Sequence, residues 1–400
     1  MQSSIKQILV MTRASIFSLP RRLAISISMA LSIALVVGVL VGFLSMAAGF
    51  EAALRNAGSP NIAVILGGGT NQEMGSDIPA EAIRTLEAMR GDVGAVRDEA
   101  GNLDYSREIV VPVEVRQEGA EFSKMLALRA MDPTGPSLRG GVTLSAGRFP
   151  RVGSREIIVG DRIATEFSSL ALGQQIRLGP VAWTVVGRFS AHGSAFESEV
   201  WADLDAARSA FDRLGEIQSI RLKLVEPGSI RQLQKALGGI TATPLVAVSE
   251  ADLYSAQSSA TAGLIRMFGW PIALLMALGA AAGALNTMMS SVSDRTVEIA
   301  TVRALGFTRL SAFVATWAEA VLLSAIGAAI GVTVSWLLFN GWQASTIGAN
   351  NASLAFQLTV DDRVIVIASL LGLAIGVVGG ALPALSAARL PITAALRTRG

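Results

Sequence analysis

The sequence predicts a membrane α-helical protein of four transmembrane helices, with a large α+β extracytoplasmic domain inserted between helices 1 and 2. Only 16% of the 400 residues are charged and 51% are hydrophobic, whereas soluble domains carry about 25% charged residues. The charge deficit is concentrated in four apolar runs, each long enough to cross a bilayer. Between the first two runs, residues 51–263 alternate strand and helix patterns and are numerous enough for a core of their own.

The four apolar runs are bounded by charged residues. The first, 23–50, contains no charge, and the second extends from 267 to about 290. The third, about 312–339, is interrupted only by Glu319, and the fourth is 364–388. A cleaved signal peptide is a weaker interpretation of the first run, because signal-peptide apolar regions are only about 7–15 residues long.

These runs divide the chain into nine segments. We predict a cytoplasmic amphipathic segment (1–22), helix 1 (23–50), a periplasmic α+β core domain (51–263), helix 2 (264–290), a cytoplasmic coupling segment (291–311), helix 3 (312–340), a short periplasmic loop (341–362), helix 4 (363–388) and a cytoplasmic tail (389–400).

Basic residues beside the spans predict their orientation. They precede helix 1, lie between helices 2 and 3 and follow helix 4, whereas the loop between helices 3 and 4 holds two aspartates and one arginine. We therefore expect both termini and the 2–3 connection to be cytoplasmic. The residues are Lys6, Arg13, Arg21, Arg22, Arg295, Arg303, Arg309, Arg389, Arg397 and Arg399.

Local patterns give the expected elements of the α+β domain. Asp77 is expected to cap a helix that ends near residue 89, and Pro112 marks 108–116 as an edge or bulged strand. A helix is expected over 161–170. Residues 50–54 continue the first run without a helix breaker, and 249–252 is a capping box with no turn between it and the second run. Helices 1 and 2 should therefore continue without a break into the domain as a stiff stalk.

Each predicted span carries glycines four residues apart, which places them on one helix face and lets another backbone approach. We expect tight helix packing at these positions, without an indication of which helices meet. The residues are Gly38, Gly42, Gly279, Gly283, Gly327, Gly331, Gly372, Gly376 and Gly380.

Composition argues against several kinds of function. The chain has no cysteine, a single histidine, His192, and a net charge of only +2, which does not favour nucleic-acid binding. A metal site, a cofactor site or a catalytic cluster within this chain is therefore not expected. No Gly-x-x-x-x-Gly-Lys-Ser/Thr pattern occurs, so ATP and Mg²⁺ would have to be bound by a partner.

The stretch 286–306, NTMMSSVSDRTVEIATVRALG, resembles the signature of MacB/FtsX-type permeases, with Asp294 where that family usually has glutamate. The end of the chain, PALSAAR at 383–389 followed by AALR at 394–397, resembles the same family's C-terminus. Residues 156–189 resemble its periplasmic core domain. The resemblance therefore covers nearly the whole chain in order.

The resemblance implies a permease that works with two copies of a separate ABC ATPase and a second permease copy, most simply as a homodimer. Asp294, Arg295, Glu298 and Arg303 would then form the segment that docks into the ATPase. Without the resemblance, a solvated charged loop would be the simpler interpretation. Closure of the ATPases would be transmitted to the periplasmic domain, and a periplasmic adaptor and an outer-membrane channel are further partners of some such systems.

Two polar residues lie within the spans. Asn286 is expected to hydrogen-bond between helices. Glu319 should either face a partner within the bundle or lie near the interface with water. Export or extrusion of a substrate is the leading functional interpretation. A lipoprotein-releasing permease of the LolC/LolE type and an FtsX-like transducer that activates a cell-wall hydrolase are the alternatives.

Overall fold

The computed structural model describes residues 2–70, 72–89, 92–116, 123–240, 244–348 and 351–391. The chain forms two compact units. The first consists of Met1–Ala48, Gly263–Trp342 and Leu358–Gly400, and the second of Gly49–Ala262 and Gln343–Gln357. Arg397 and the predicted AALR motif lie outside the described residues.

The first unit is helical. Its helices are α1 (Gln2–Ser18), α2 (Leu23–Arg55), α8 (Glu250–Asp294), α9 (Thr296–Ala304), α10 (Arg309–Phe339) and α11 (Asp362–Arg389), with a 3-10 turn at Leu19–Arg22 after α1. Helices α2, α8, α10 and α11 are long and apolar enough to cross a membrane. Helices α2 and α8 each continue without a break past the predicted span into residues of the second unit, as predicted from the lack of a breaker after residue 50 and from the capping box at 249–252.

Glycines bring α10 against α2 and α11 against α10. A Cβ added at Gly327 or Gly331 would lie 2.6 Å from the carbonyl oxygen of Ala30 or Ala34 on α2. A Cβ at Gly376 or Gly380 would lie only 2.0 and 2.4 Å from Ser324 and Ala320. These positions require glycine because the facing backbone or side chain already occupies the space.

The remaining predicted glycines divide into two groups. Gly38, Gly42 and Gly372 also face a neighbouring helix, since an added Cβ would meet another side chain within 3.5 Å. By contrast, a Cβ at Gly279 or Gly283 on α8 would meet nothing within 4 Å among the described residues of this one chain.

The second unit is an α+β domain built on one sheet. Its strands are β1 (Ile62–Gly67), β2 (Tyr105–Arg116), β3 (Ser123–Met131), β4 (Thr143–Gly147), β5 (Glu156–Gly160), β6 (Gln175–Leu178), β7 (Val181–Ser190), β8 (Glu199–Asp203), β9 (Ser219–Lys223) and β10 (Leu245–Ser249). The strand order is β10-β1-β9-β2-β3-β8-β5-β7-β4, and β6 pairs with β7. The pairs β3/β8 and β5/β7 are parallel.

Helices α3 (Ala80–Ala88), α4 (Gly135–Leu138), α5 (Asp161–Glu166), α6 (Leu204–Ala210) and α7 (Ile230–Leu237) complete this domain. Two local predictions were wrong. The N-cap of α3 is Pro79 rather than Asp77, and the expected helix over 161–170 ends at Glu166 because Phe167 adopts extended backbone angles. Pro112 behaves as expected: β9 pairs only with residues 105–108 of β2, so Pro112 has a ladder partner, Ala127, on one side.

The connection 341–362, expected to be a plain loop, contains a hairpin of β11 (Gln343–Ile347) and β12 (Ser353–Gln357). By its contacts this hairpin belongs to the α+β unit. Ser198 exchanges two hydrogen bonds of 3.0 Å with the backbone of Ala355, and Arg162 donates to the same carbonyl at 2.8 Å. Tertiary contacts, which no local pattern reveals, order this loop.

Candidate functional site

The predicted coupling residues lie at the junction between α8 and α10. Asp294 is the last residue of α8, and Arg295 breaks the helix with φ −100° and ψ 10° before α9 begins at Thr296. Asp294 and Glu298 are four residues apart, a spacing that would place them on one face of a continuous helix. They instead belong to different helices, because the chain turns at Arg295.

Arg295 turns inward from this junction and forms an ion pair with Glu319 of α10. The two side chains are joined at 2.6 Å and are almost fully buried. The hydroxyl of Ser15 on α1 accepts from Arg295 at 2.8 Å and donates to the same Glu319 oxygen at 2.6 Å. Glu319 therefore has a partner within the helical unit, and Arg295 fixes the junction rather than facing outward.

The rest of α9 is attached by apolar packing and one backbone contact. Ile299 packs with Val292, Ala312 and Ala387, which belong to α8, α10 and α11. Arg303 donates to the carbonyl oxygen of Leu390 at 2.6 Å. Three neighbouring helices thus hold the inner face of α9.

The outer face of α9 is open. The Glu298 side chain is 73% exposed, and it forms an ion pair with Arg22 at 3.7 Å. Asp294 is also exposed, and Val297 and Leu305 expose apolar side chains beside these acids. The outer face of α9 therefore presents acidic and apolar side chains together, whereas its inner face is packed.

Asn286, on α8, has an exposed side chain in the single chain, in line with Gly279 and Gly283. A hydrogen bond between helices at Asn286 stays a prediction. Among the described residues, no group of three or more acidic or histidine side chains could hold a metal ion.

Sequence reasoning missed a buried ionic network in the α+β domain. It contains three arginines and four glutamates, all with side chains 11% exposed or less: Arg129, Arg139, Arg221, Glu73, Glu108, Glu199 and Glu250. The four carboxylates exceed the three guanidinium groups by one, and Oε1 of Glu108 has no hydrogen-bond partner among the residues that the structure describes.

Arg129 and Arg221 are the centres of this network. Arg129 donates to Glu73 and Glu199 at 2.8–3.0 Å. Arg221 donates to Glu73 at 2.8 Å and also to Glu108. Burial alone would raise the pKa of Glu73, but the two arginines outweigh it and hold that pKa well below its usual range.

The network also reaches the first turn of α8. Glu250, the first residue of that helix, accepts from Arg221 at 2.9 Å and from the backbone amide of Ser59, which follows α2, at 3.2 Å. Arg221 donates to the hydroxyl of Tyr254 at 3.0 Å, one turn further along α8. Both long helices are therefore tied to the sheet by buried charge at the point where they enter the α+β domain.

Two family models match the chain. The MacB-like periplasmic core domain matches residues 26–240, and the FtsX-like permease C-terminal model matches residues 270–392. The chain belongs to the MacB/FtsX-type family of ABC transporter permeases. α9 and its anchoring residues on α10 and α11 lie within the FtsX-like part. The extracytoplasmic domain of this family corresponds to the α+β unit.

Among curated proteins, the macrolide export ATP-binding/permease protein MacB of Bordetella avium is 26% identical over an alignment of 330 residues, and the match covers 78% of this chain and 49% of that protein. The MacB protein of Photorhabdus laumondii is 23% identical and matches 76% of this chain and 45% of its own length. The pyoverdine export protein PvdT of Pseudomonas entomophila is 27% identical over 61% of this chain and 38% of its own. The chain spans about half the length of the MacB relatives it matches.

Among solved structures, the periplasmic region of MacB from Actinobacillus actinomycetemcomitans aligns with 50% of this chain and 93% of its own, at 12% identity and a TM-score of 0.38. The extracellular domain of the transporter YknZ from Gram-positive bacteria aligns with 47% of this chain and all of its own, at 13% identity and a TM-score of 0.36.

Proposed function

We propose that this chain is the non-catalytic permease subunit of an ABC transporter in the bacterial inner membrane. A separate ATPase would hydrolyse ATP, and the resulting movement of α9 would change the conformation of the periplasmic domain and drive export or extrusion of a substrate. The observation that carries this proposal is α9, a helix anchored on its inner face and open on its acidic and apolar outer face. The names of the relatives, which are export proteins, favour export over lipoprotein release or signalling.

The two long helices support a mechanical mode of action. α2 and α8 are unbroken over 33 and 45 residues, and an α-helix is stiff over such lengths compared with a loop. Buried charge ties the beginning of α8 to the sheet through Arg221 and Glu250. We propose that these helices transmit movement as a stalk, rather than forming the walls of a conducting channel.

We further propose that the permease acts with a second copy of itself. The face of α8 that carries Gly279, Gly283 and Asn286 has small side chains and is open in the described part of the single chain. Small residues and a polar amide favour helix association in membranes. A periplasmic adaptor and an outer-membrane channel would complete an export system.

Orientation is testable with two matched cysteines in this cysteine-free chain. Leu214, in the α+β domain, and Leu305, after α9, are each 77% exposed. In intact spheroplasts, a membrane-impermeant maleimide should label Leu214→Cys and not Leu305→Cys, because the proposed topology places them on opposite sides. After the membrane is permeabilised, both should be labelled. Labelling of position 305 alone in intact spheroplasts would show that the topology is the opposite of the proposed one.

Measurements of ATP hydrolysis test the proposal that a separate subunit, and not this chain, is the ATPase. The purified chain in nanodiscs should show no turnover, because it contains no phosphate-binding loop. An ABC ATPase that co-purifies with it from the native host should hydrolyse ATP, and a Lys→Ala change in the Walker motif of that ATPase should abolish the turnover. Turnover by the chain in a preparation shown by mass spectrometry to lack an ATPase would refute the proposal.

A further inference from the structure

We infer that α1 positions α9 through contacts at both ends of α9. This inference rests on the proposed docking role of α9 and assigns Gln7 and Ser15 as positioning residues. α9 has only nine residues, and helices shorter than about 12–15 residues are marginally stable in isolation. Its orientation must therefore be set by the elements around it.

At the beginning of α9, Ser15 completes the inward ion pair. Its hydroxyl lies between Arg295, the residue before α9, and Glu319, with hydrogen bonds of 2.8 and 2.6 Å. The guanidinium group of Arg22, just after α1, donates to the hydroxyl of Ser291 at 3.2 Å. Contacts from the N-terminal region therefore fix the break between α8 and α9.

At the end of α9, Gln7 holds the turn that leads into α10. Its amide nitrogen donates to the carbonyl oxygen of Gly306 at 3.4 Å, and its amide oxygen accepts from the backbone amide of Thr308 at 3.3 Å. Gly306 has φ +98°, a conformation that favours glycine. One side chain thus satisfies a donor and an acceptor of the same turn.

Between these two ends, Met11 packs on the cluster that contains Ile299. Gln7, Met11 and Ser15 are spaced four residues apart and therefore lie along one face of α1. Ile5, Leu9 and Phe17 are exposed elsewhere on the helix, as expected for a helix at a membrane surface. A helix α1 lying on the membrane surface would therefore fix the orientation of α9 relative to the bilayer.

The test uses Gln7 and Ser15 because both can be shortened without leaving a buried charge unpaired. Changing Arg295 or Glu319 would strand the other charge and endanger folding. The variant is Gln7→Ala with Ser15→Ala, in the full chain in nanodiscs. The control is Lys6→Ala with Ala14→Ser, which changes the adjacent, exposed positions of α1.

Hydrogen–deuterium exchange of residues 296–304 measures how stably α9 is held, and it needs no ATPase. The variant should exchange about tenfold faster than the wild type in this segment, since it loses several hydrogen bonds that each contribute modestly. The control should match the wild type. Unchanged exchange in the variant would overturn the inference while leaving the proposed function untouched.

Binding of the co-purified ATPase provides the second readout. The variant should bind the ATPase about tenfold more weakly than the control does. In the variant α9 is less ordered, and ordering it on binding costs free energy. Faster exchange in α9 with wild-type binding would overturn the positioning role. Failure of the wild-type chain to associate with any ATPase would instead refute the proposed function, and the exchange result would still decide whether α1 holds α9.

Discussion

Replacing Arg221 with methionine is expected to destabilise the α+β domain by about 3–5 kcal/mol, the typical cost of removing one partner from a buried ion pair. The substitution would remove a cation that Glu73, Glu108 and Glu250 share, in a region where their side chains are at most 1% exposed. Since whole domains are stable by only about 5–15 kcal/mol, the variant should be near its folding threshold.

The same network predicts a dependence on pH. Arg129 and Arg221 lower the pKa of Glu73 despite its burial, and the pKa of Glu108 is lowered as well, by Arg139, Arg221 and Arg129. The stability that these carboxylates contribute is therefore present above their unfolded pKa, near 4.5, and is lost as the pH falls through their folded values. In Arg221→Met this loss should begin at a higher pH.

The effect on stability is measured by heating the full chain in detergent at pH values from 4 to 8. Susceptibility of the α+β domain to a protease reports its unfolding at each temperature. The matched control is Arg155→Met, because Arg155 is an exposed arginine of the same domain. We expect the control to remain within about 0.5 kcal/mol of the wild type, as surface changes usually do. If Arg221→Met unfolds at the same temperature as that control at every pH, the network contributes nothing to stability.

The sequence predicted the parts of the fold that depend on length and composition. Four helices of bilayer length follow directly from the apolar runs, and the capping box at Ser249 correctly predicted that α8 begins there and continues. The glycine spacing predicted close helix contacts. It could not say that α10 packs against both α2 and α11, because any helix face with small residues can receive several partners.

The charged network could not be predicted from a single strand. Ile220 and Leu222 alternate with Arg221, a pattern that normally indicates one buried and one solvated face. In the structure both faces of β9 are covered, so all three side chains are buried. The available signal was the repeated occurrence of Arg or Glu inside apolar strands, as at Arg129 in β3. Only the sheet order brings these residues together.

The coupling residues were predicted as a group, but the structure gives them different roles. Arg295 and Arg303 hold α9 from within, whereas Asp294 and Glu298 face outward. The pattern of charges along the chain contains no information about the break at Arg295, which depends on the ion pair with Glu319 more than twenty residues later. The acidic face is therefore the part available to a partner.

Glu298→Lys is expected to weaken association with the ATPase strongly while leaving the free chain intact. The Glu298 side chain is 73% exposed and forms a long ion pair of 3.7 Å with Arg22, and surface pairs of this kind contribute about 0–1 kcal/mol. At an interface, by contrast, removing one member of a buried charged pair costs about 2–5 kcal/mol or more. Binding should thus weaken by a factor between about 30 and several thousand.

The decisive measurement is the affinity of the co-purifying ATPase for the chain in nanodiscs, compared among the wild type, Glu298→Lys and Glu226→Lys. Glu226 is an exposed acid of the α+β domain and controls for the change in net charge. We predict that Glu298→Lys alone loses binding and substrate export, with unchanged thermal unfolding of the free chain. Wild-type binding and export by Glu298→Lys would contradict the proposal that α9 connects this permease to its ATPase.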